Sequence, residues 1–416
     1  VALRAGACAQ SLPESQFGLA SLRHRWNVSG SYMQVVPRVI STAADGASEA
    51  REFLLDAYGS PADAHSSLFL KGYQWPFDVR RAASGSSRID LLVHDEIAVK
   101  GRRVFLDFRR NGGGFCLATL SEEARAYLER SGATQRTPLA RLKHLNPLAY
   151  ALYREHGIDL AREPLEIAVC AQHNNGGLAA NHWWESVNIR HLFPVGEVNG
   201  SHGVGRPGGA ALNAGQVGGV RAAEYIAAAY PGESVSGTAF RAALSQALQR
   251  NRAFLAACGR SAWAWRDCRA EFQARMSRAG AYLRSAEGLS QALAEAHGQS
   301  VRLASEGCAV RRASEAVRAF ENRQLCCAHE AYLAAQLFAV RSGVGSRGSA
   351  LVRGPGGQAL PEDPAFRERV QETRLGADGR ARHRWVARRP LPPAERWFET
   401  AWAEFVDGAI YRLRRG

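Results

Sequence analysis

Between Ala171 and Gly219 the chain reads AQHNNGGLAANHWWESVNIRHLFPVGEVNGSHGVGRPGGAALNAGQVGG, and no other stretch narrows its fold so far. A polar turn, His173-Asn174-Asn175-Gly176-Gly177, leads to an apolar run, Leu192-Phe193-Pro194-Val195, which reads as a short strand ending in Gly196-Glu197. A glycine-rich loop with one arginine, Arg206, follows, and a helix of small residues opens near Ala210. Strand, glycine loop and helix, in that order, bring bare backbone against a flat or anionic group and aim the helix's unpaired amides at it.

This order and spacing resemble the FAD-dependent succinate dehydrogenase, fumarate reductase and L-aspartate oxidase flavoprotein superfamily. Its members carry a His-x-x-x-Gly-Gly turn, a strand ending Gly-Glu, and a His-Gly-x-x-Arg-x-Gly-Gly loop. The counterparts here are the 172–177 turn, Gly196-Glu197 and His202–Gly209. The first element matches with a slip. Counted back from Gly176-Gly177, the superfamily's substrate-binding histidine falls on Gln172, and His173 takes the next position. Either the loop shifts by one residue or the histidine role is lost. Gly203–Gly208 also matches Gly-x-Gly-x-x-Gly, a weak signal alone in a chain with 41 glycines. Nothing at the usual offset of the acidic residue fits well, so a nicotinamide fingerprint is rejected.

The resemblance implies FAD as cofactor, contacted by Gly196, Glu197, Gly205, Arg206, Gly208, Gly209, Ala211 and Leu212. Glu197 would hold a ribose hydroxyl, and the helix start would face the flavin's pyrimidine edge, where its partial positive charge favours the reduced anion. Arg206 would clamp a substrate carboxylate through two parallel hydrogen bonds; the plain alternative is a surface arginine in a polar loop. His202 and Gln172 are implied substrate contacts. His173 is a catalytic candidate in the shifted register, with Asn174 and Asn175 as neutral donors beside it.

Arg88, in Ser86–Val93, resembles the cap-domain arginine that delivers the proton in fumarate reduction. With a pKa above about 12 it needs reloading by a carboxylate, for which Asp90, Asp95 and Glu96 are candidates. One departure bears on substrate. The superfamily's entry strand continues Gln-Phe-His-Pro-Thr, whereas Gln16-Phe17 is followed by Gly18-Leu19-Ala20-Ser21. Plain succinate or fumarate is therefore not expected. His24, Arg25 and Trp26 are candidates for a differently shaped pocket; Trp75-Pro76-Phe77 and Trp183-Trp184 fit either such a pocket or ordinary core.

The fold class implied is an α/β flavin-binding domain, partial because its N-terminal ADP-binding unit is missing. It carries an inserted α+β cap domain and is followed by a three-helix bundle and a small C-terminal lobe. The expected divisions are 1–20 and 166–232 for the flavin-binding parts, 21–165 for the cap, 233–343 for the bundle and 344–416 for the lobe. In the bundle, Phe240, Leu244 and Leu248, then Cys268, Phe272 and Met276, then Phe320, Ala328, Tyr332 and Leu337 form apolar stripes. Gln371–Leu375 and Arg382–Ala387 read as a hairpin, and Trp397–Tyr411 as an amphipathic helix.

Composition excludes several classes. No apolar run reaches the roughly 18–20 residues that span a bilayer. The net charge is +14, but it is arginine spread along the chain with only three lysines, and no basic block points to nucleic acid. Eight cysteines include no Cys-x-x-Cys, which argues against a metal or iron–sulfur ligand set and for a reducing, cytoplasmic setting. The function expected is hydride transfer between flavin N5 and a small anionic organic substrate, and the expected partner is an electron-transfer subunit. The alternatives are an amino-acid oxidase resembling L-aspartate oxidase, and a flavin-binding electron-transfer subunit with altered catalysis.

Overall fold

Strands Ser15–Ser21 and Leu165–Asn174 carry the chain into and out of an inserted body, and they are neighbours in one four-stranded sheet. The computed structural model describes residues 1–230, 236–389, 399–407 and 409. They form two units: 16–173 with 347–349, and 1–15 with 174–346 and 350–416.

In the inserted unit the sheet order is 15–21, 165–174, 103–107, 38–42, with Arg103–Asp107 antiparallel to both Leu165–Asn174 and Arg38–Thr42. Helices cover the sheet because their starts and stops are written locally. Ser121 caps Glu122–Arg130 by accepting from Ala124 N, and Gly132 turns the chain at φ +69° just beyond it. Ser60, Thr137 and Asn146 cap three more helices, each with proline in the first turn. The core runs through Leu19, Met33, Leu68, Val104, Leu106, Leu142, Tyr153 and Ile167. Each such side chain contributes about 1.5–3 kcal/mol on burial. Val35-Val36-Pro37 precedes the strand Arg38–Thr42, and Val36 turns at φ +50°. Lys71 and Asp90 form an ion pair of 2.5 Å with both side chains 0% exposed.

The other unit holds a sheet ordered 381–387, 369–375, 9–10, 177–178, antiparallel throughout. The expected hairpin is there as Arg369–Leu375 and Ala381–Ala387. Four helices, not three, occupy the bundle region: Gly237–Arg260, Trp265–Ala279, Ala286–Glu306 and Ala316–Arg341. Ala286–Glu306 escaped the sequence reading because alanine forms much of its buried stripe (Leu289, Ala292, Ala296, Leu303). Ser285 caps it, and it packs against both of its sequence neighbours, with Arg275 meeting Gln299 at 2.7 Å and His297 meeting Glu330 at 2.9 Å.

The stripe Phe240, Leu244, Leu248 is not core. These side chains are 58%, 44% and 45% exposed, and Gly237–Arg260 buries only its end, at Phe254, Ala257 and Cys258. Of the segment 397–411, a helix Glu399–Val406 is described; Trp397 and Tyr411 lie outside the described residues. Among the described residues no helix is long and apolar enough to cross a membrane.

Candidate functional site

Leu192–Val195 is extended but pairs with no strand. Pro194 has no N–H to give a ladder, and the segment's recorded backbone contacts are Ser186 N donating to Leu192 O and Val195 N donating to Phe193 O. A single 3₁₀ turn, Gly196–Val198, follows. Gly196 sits at φ +80°, and a Cβ there would stand 3.6 Å from Gly215 Cα. The glycine lets this turn lie against the helix Ala210–Ala229.

The Gly176-Gly177 turn is fixed by close backbone packing. A Cβ on Gly176 would overlap the Ser11 carbonyl, and one on Gly177 the Val198 carbonyl. Asn175 N and Gly176 N both donate to Glu14 O, at 3.1 and 3.2 Å. Asn175, fully buried, donates from Nδ2 to Val204 O at 3.2 Å, and Gln10 Nε2 donates to Gly200 O at 3.0 Å. The sequence reading took Asn175 for a substrate donor; here its amide braces the 200–206 loop.

Beyond that brace the loop opens outward. Gly203, Gly205, Gly208 and Gly209 each have nothing within 4 Å of where a Cβ would stand. Arg206 lies among them, half-buried, with Nη1 donating to Pro207 O at 3.1 Å. Gly209, at φ +81°, begins Ala210–Ala229, and no side chain caps that helix start. The amides of Ala211 and Leu212 thus lie in a first turn with uncompensated partial positive charge. Leu212 is 77% exposed. Glu197 is exposed and His202 half-buried. Trp183 and Trp184 are packing residues: Trp183 stacks on Tyr225 at 5.2 Å, and Trp184 covers Gly218 of the same helix.

In the inserted unit, Gln172 lies near the end of Leu165–Asn174, its Nε2 3.4 Å from Gly18 O and Cys170 O. It lines a cleft of about 650 Å³ with Arg25, Trp26, Ser29, Asn146 and Ala171. Arg25 Nη2 donates to Ala171 O at 2.7 Å, and His24 stacks on His156 at 3.7 Å. Asn146 had no sequence signal, since it reaches the cleft from a distant segment, and Ser29 lies just beyond the His24–Trp26 candidates. His173, next to Gln172, is buried and is not part of the lining. Gly18 is the position at which the resemblance expects a histidine. A Cβ there would fall 2.5 Å from the Trp75 indole, whose Nε1 donates to Leu19 O at 3.1 Å. An indole from another segment thus packs over Gly18.

Arg88 opens the helix Arg88–His94. Its Nη2 donates to Ala57 O at 2.7 Å, and its guanidinium lies 4.7 Å from the Tyr58 ring centre. The candidate relay carboxylates are engaged elsewhere: Asp90 with Lys71, Asp95 with Lys100, and Glu96 with Arg51, Lys100 and Arg102. Residues two apart on a helix do not share a face, so Arg88 and Asp90 diverge. Burial pushes the Asp90 carboxyl up, against the pull of Lys71.

An uncapped helix start thus lies behind an open glycine loop carrying one arginine. The chain has the fold of succinate dehydrogenase and fumarate reductase flavoprotein subunits. It matches E. coli quinol fumarate reductase FrdA over 95% of its own length and 62% of that chain, with a TM-score of 0.58 and 18% identity. Mycobacterium smegmatis Sdh1 in complex with UQ1 matches over 95% of this chain and 58% of that one, with a TM-score of 0.64 and 18% identity. In sequence, 67 residues are 45% identical to a fumarate reductase (CoM/CoB) subunit of Methanothermobacter marburgensis, covering 16% of this chain and 12% of that protein. No protein-family model matches the chain. The chain spans about three fifths of the length of these solved chains.

Proposed function

We propose that the chain is part of an FAD-dependent oxidoreductase acting on a small organic substrate that carries a carboxylate or another anionic group. The observation that carries this is the open face of Gly203–Gly209 leading into the uncapped start of Ala210–Ala229. Four glycines without side chains admit a ring system, and the amides of Ala211 and Leu212 supply positive potential to it. Gly196, Glu197, Gly205, Gly208, Gly209, Ala211 and Leu212 would hold the FAD. When bound, it supplies a ring that takes up or gives a hydride.

Arg206 orients the substrate's anionic group with its paired N–H donors. Gln172 and His202 are further substrate contacts by the resemblance, and His173 stands as the buried neighbour of Gln172. The proton-delivering role of Arg88 rests on the resemblance alone: the Ala57 carbonyl and the Tyr58 ring hold its guanidinium, and Asp90, Asp95 and Glu96, the carboxylates read as its relay, are paired with other cations. Trp75 over Gly18 argues for a substrate other than plain succinate or fumarate, since the second carboxylate loses its histidine and gains an indole. The cap assignment of the inserted unit, a cytoplasmic setting and a partner subunit for electron transfer belong to this proposal.

Replacing Arg206 by alanine in the full-length protein tests it. Flavin content should stay unchanged while kcat/KM falls roughly 100-fold, the scale of one lost anion-stabilising donor. Unchanged turnover would favour an electron-transfer subunit. A full-length protein that stays colourless when offered FAD overturns the proposal.

A further inference from the structure

A second cleft, of about 660 Å³, lies in the other unit between helices Ala286–Glu306 and Ala316–Arg341 and the turn of the 369–387 hairpin. That volume suits a small organic ligand. Arg4, Arg323, Arg341 and Arg380 line it, and its one carboxylate, Glu330, accepts from His297 Nδ1 at 2.9 Å. Two buried polar atoms of the lining, Arg323 Nε and Ser300 Oγ, have no hydrogen-bond partner. Such atoms cost free energy unless something meets them. The cleft therefore fits an anionic, partly apolar small molecule.

Its wall also carries thiols. Cys326 and Cys327 both line it. Cys326 belongs to a buried cluster that includes Cys258, Cys268 and Cys308, together with Phe254, Phe272, Leu303 and Ala319. The thiols run in sequence: Cys326 contacts Cys268, Cys268 contacts Cys308, and Cys308 contacts Cys258. Asn322 Nδ2 stands 4.0 Å from Cys308 Sγ, and Gln299 Nε2 3.8 Å from Cys268 Sγ. Among the described residues no three His, Cys, Asp or Glu side chains are grouped to hold a metal ion. A row of contacting thiols with one end on an open cleft is instead the arrangement for thiol–disulfide exchange.

We propose that this cleft binds an anionic low-molecular-weight disulfide, and that Cys326 and then Cys268 exchange with it to form a protein disulfide. In the first step the Cys326 thiolate attacks one sulfur of the bound disulfide; a mixed disulfide forms and one small thiol leaves with the proton. In the second, Cys268 attacks Cys326 Sγ; the Cys268–Cys326 bond forms and the second small thiol leaves with the other proton. The two protein thiols are oxidised by two electrons, and the small disulfide is reduced to two thiols. The Cys308 hydrogen bond pulls the Cys268 thiol down, but Cys326 and burial outweigh it and raise it to about 12. The second step is therefore the slow one.

The test reads thiols, not turnover, so it stands apart from the flavin proposal. The reduced protein is incubated with oxidised glutathione, its remaining thiols are alkylated, and it is digested with trypsin without reductant. The four clustered cysteines fall on separate tryptic peptides, Cys268 on Asp267-Cys268-Arg269 and Cys326 on Gln324–Arg341, where fragment ions separate Cys326 from the neighbouring Cys327. A glutathione adduct on the second should appear first. It should give way over minutes to hours, the timescale of uncatalysed disulfide rearrangement, to a cross-link between the two peptides. Cystamine, a cationic disulfide, should react at Cys326 at least ~5-fold more slowly, because the cleft's arginines repel it. Adducts confined to the exposed Cys116, equal rates for the two probes, or a lasting Cys326 adduct with no cross-link would each overturn the proposal.

Discussion

Replacing Asp90 by asparagine should destabilise the inserted unit more than any surface change. Both members of the Lys71–Asp90 pair are 0% exposed, and their 2.5 Å contact is the ion pair each forms. Asparagine leaves the Lys71 ammonium buried against a neutral amide. Removing one partner of a buried pair costs about 3–5 kcal/mol, because the remaining charge has neither water nor counter-charge. For a unit of about 160 residues, 1 kcal/mol moves the melting temperature by about 2–4 °C, so the transition should fall by roughly 6–20 °C. Scanning calorimetry of the wild type and D90N measures this. The double replacement Lys71→Met with Asp90→Leu is the informative control. It removes both charges while keeping apolar volume, and should recover most of the loss or exceed the wild type. A D90N loss below about 1 kcal/mol would show that water reaches the pair and that the burial argument fails. A double variant as damaged as the single would show that the cost lies in packing, not charge.

Three more outcomes follow from the other unit. Burial, helped by the Arg275 charge, lowers the His329 imidazole from 6.5 to about 4. Since the unfolded chain binds that proton more readily, the contribution is whole above pH 6.5 and is lost as pH falls toward 4, up to about 3 kcal/mol; urea midpoints of His329→Gln should vary less across that window. Gly177→Ala drives a Cβ into the Val198 carbonyl and should cost about 1–3 kcal/mol, read from urea midpoints. Asn175→Ala strips the Val204 carbonyl of its donor; in the full-length protein it should loosen flavin, seen as a raised FAD dissociation constant, with a stability loss of about 1–3 kcal/mol.

The local instructions were legible in the sequence. The glycine loop opens into a helix at Ala210 as its composition indicates, and a hairpin forms over the 371–387 stretch that reads as one. Non-local facts were not. Leu192–Val195 has strand composition, but Pro194 denies it a ladder. Phe240, Leu244 and Leu248 have the spacing of a buried face, yet periodicity cannot say whether a partner arrives to cover it. Asn175 looked like a site donor because it sits in a polar turn; only the fold shows Val204 beside it. The cysteine row was invisible because positions 258, 268, 308 and 326 form no local motif.

The uncovered apolar faces carry a consequence for behaviour in salt. Leu212, Val217, Val220 and Ile226 on one helix, and Phe240, Leu244 and Leu248 on the next, are all more than 40% exposed. Copies of the chain would attract one another through these patches, while the net charge of +14 holds them apart. Electrolyte shortens the reach of that repulsion to about 8 Å near physiological ionic strength and leaves hydrophobic adhesion untouched. Clustering should therefore set in as salt is added, and dilute buffer should keep the molecules dispersed.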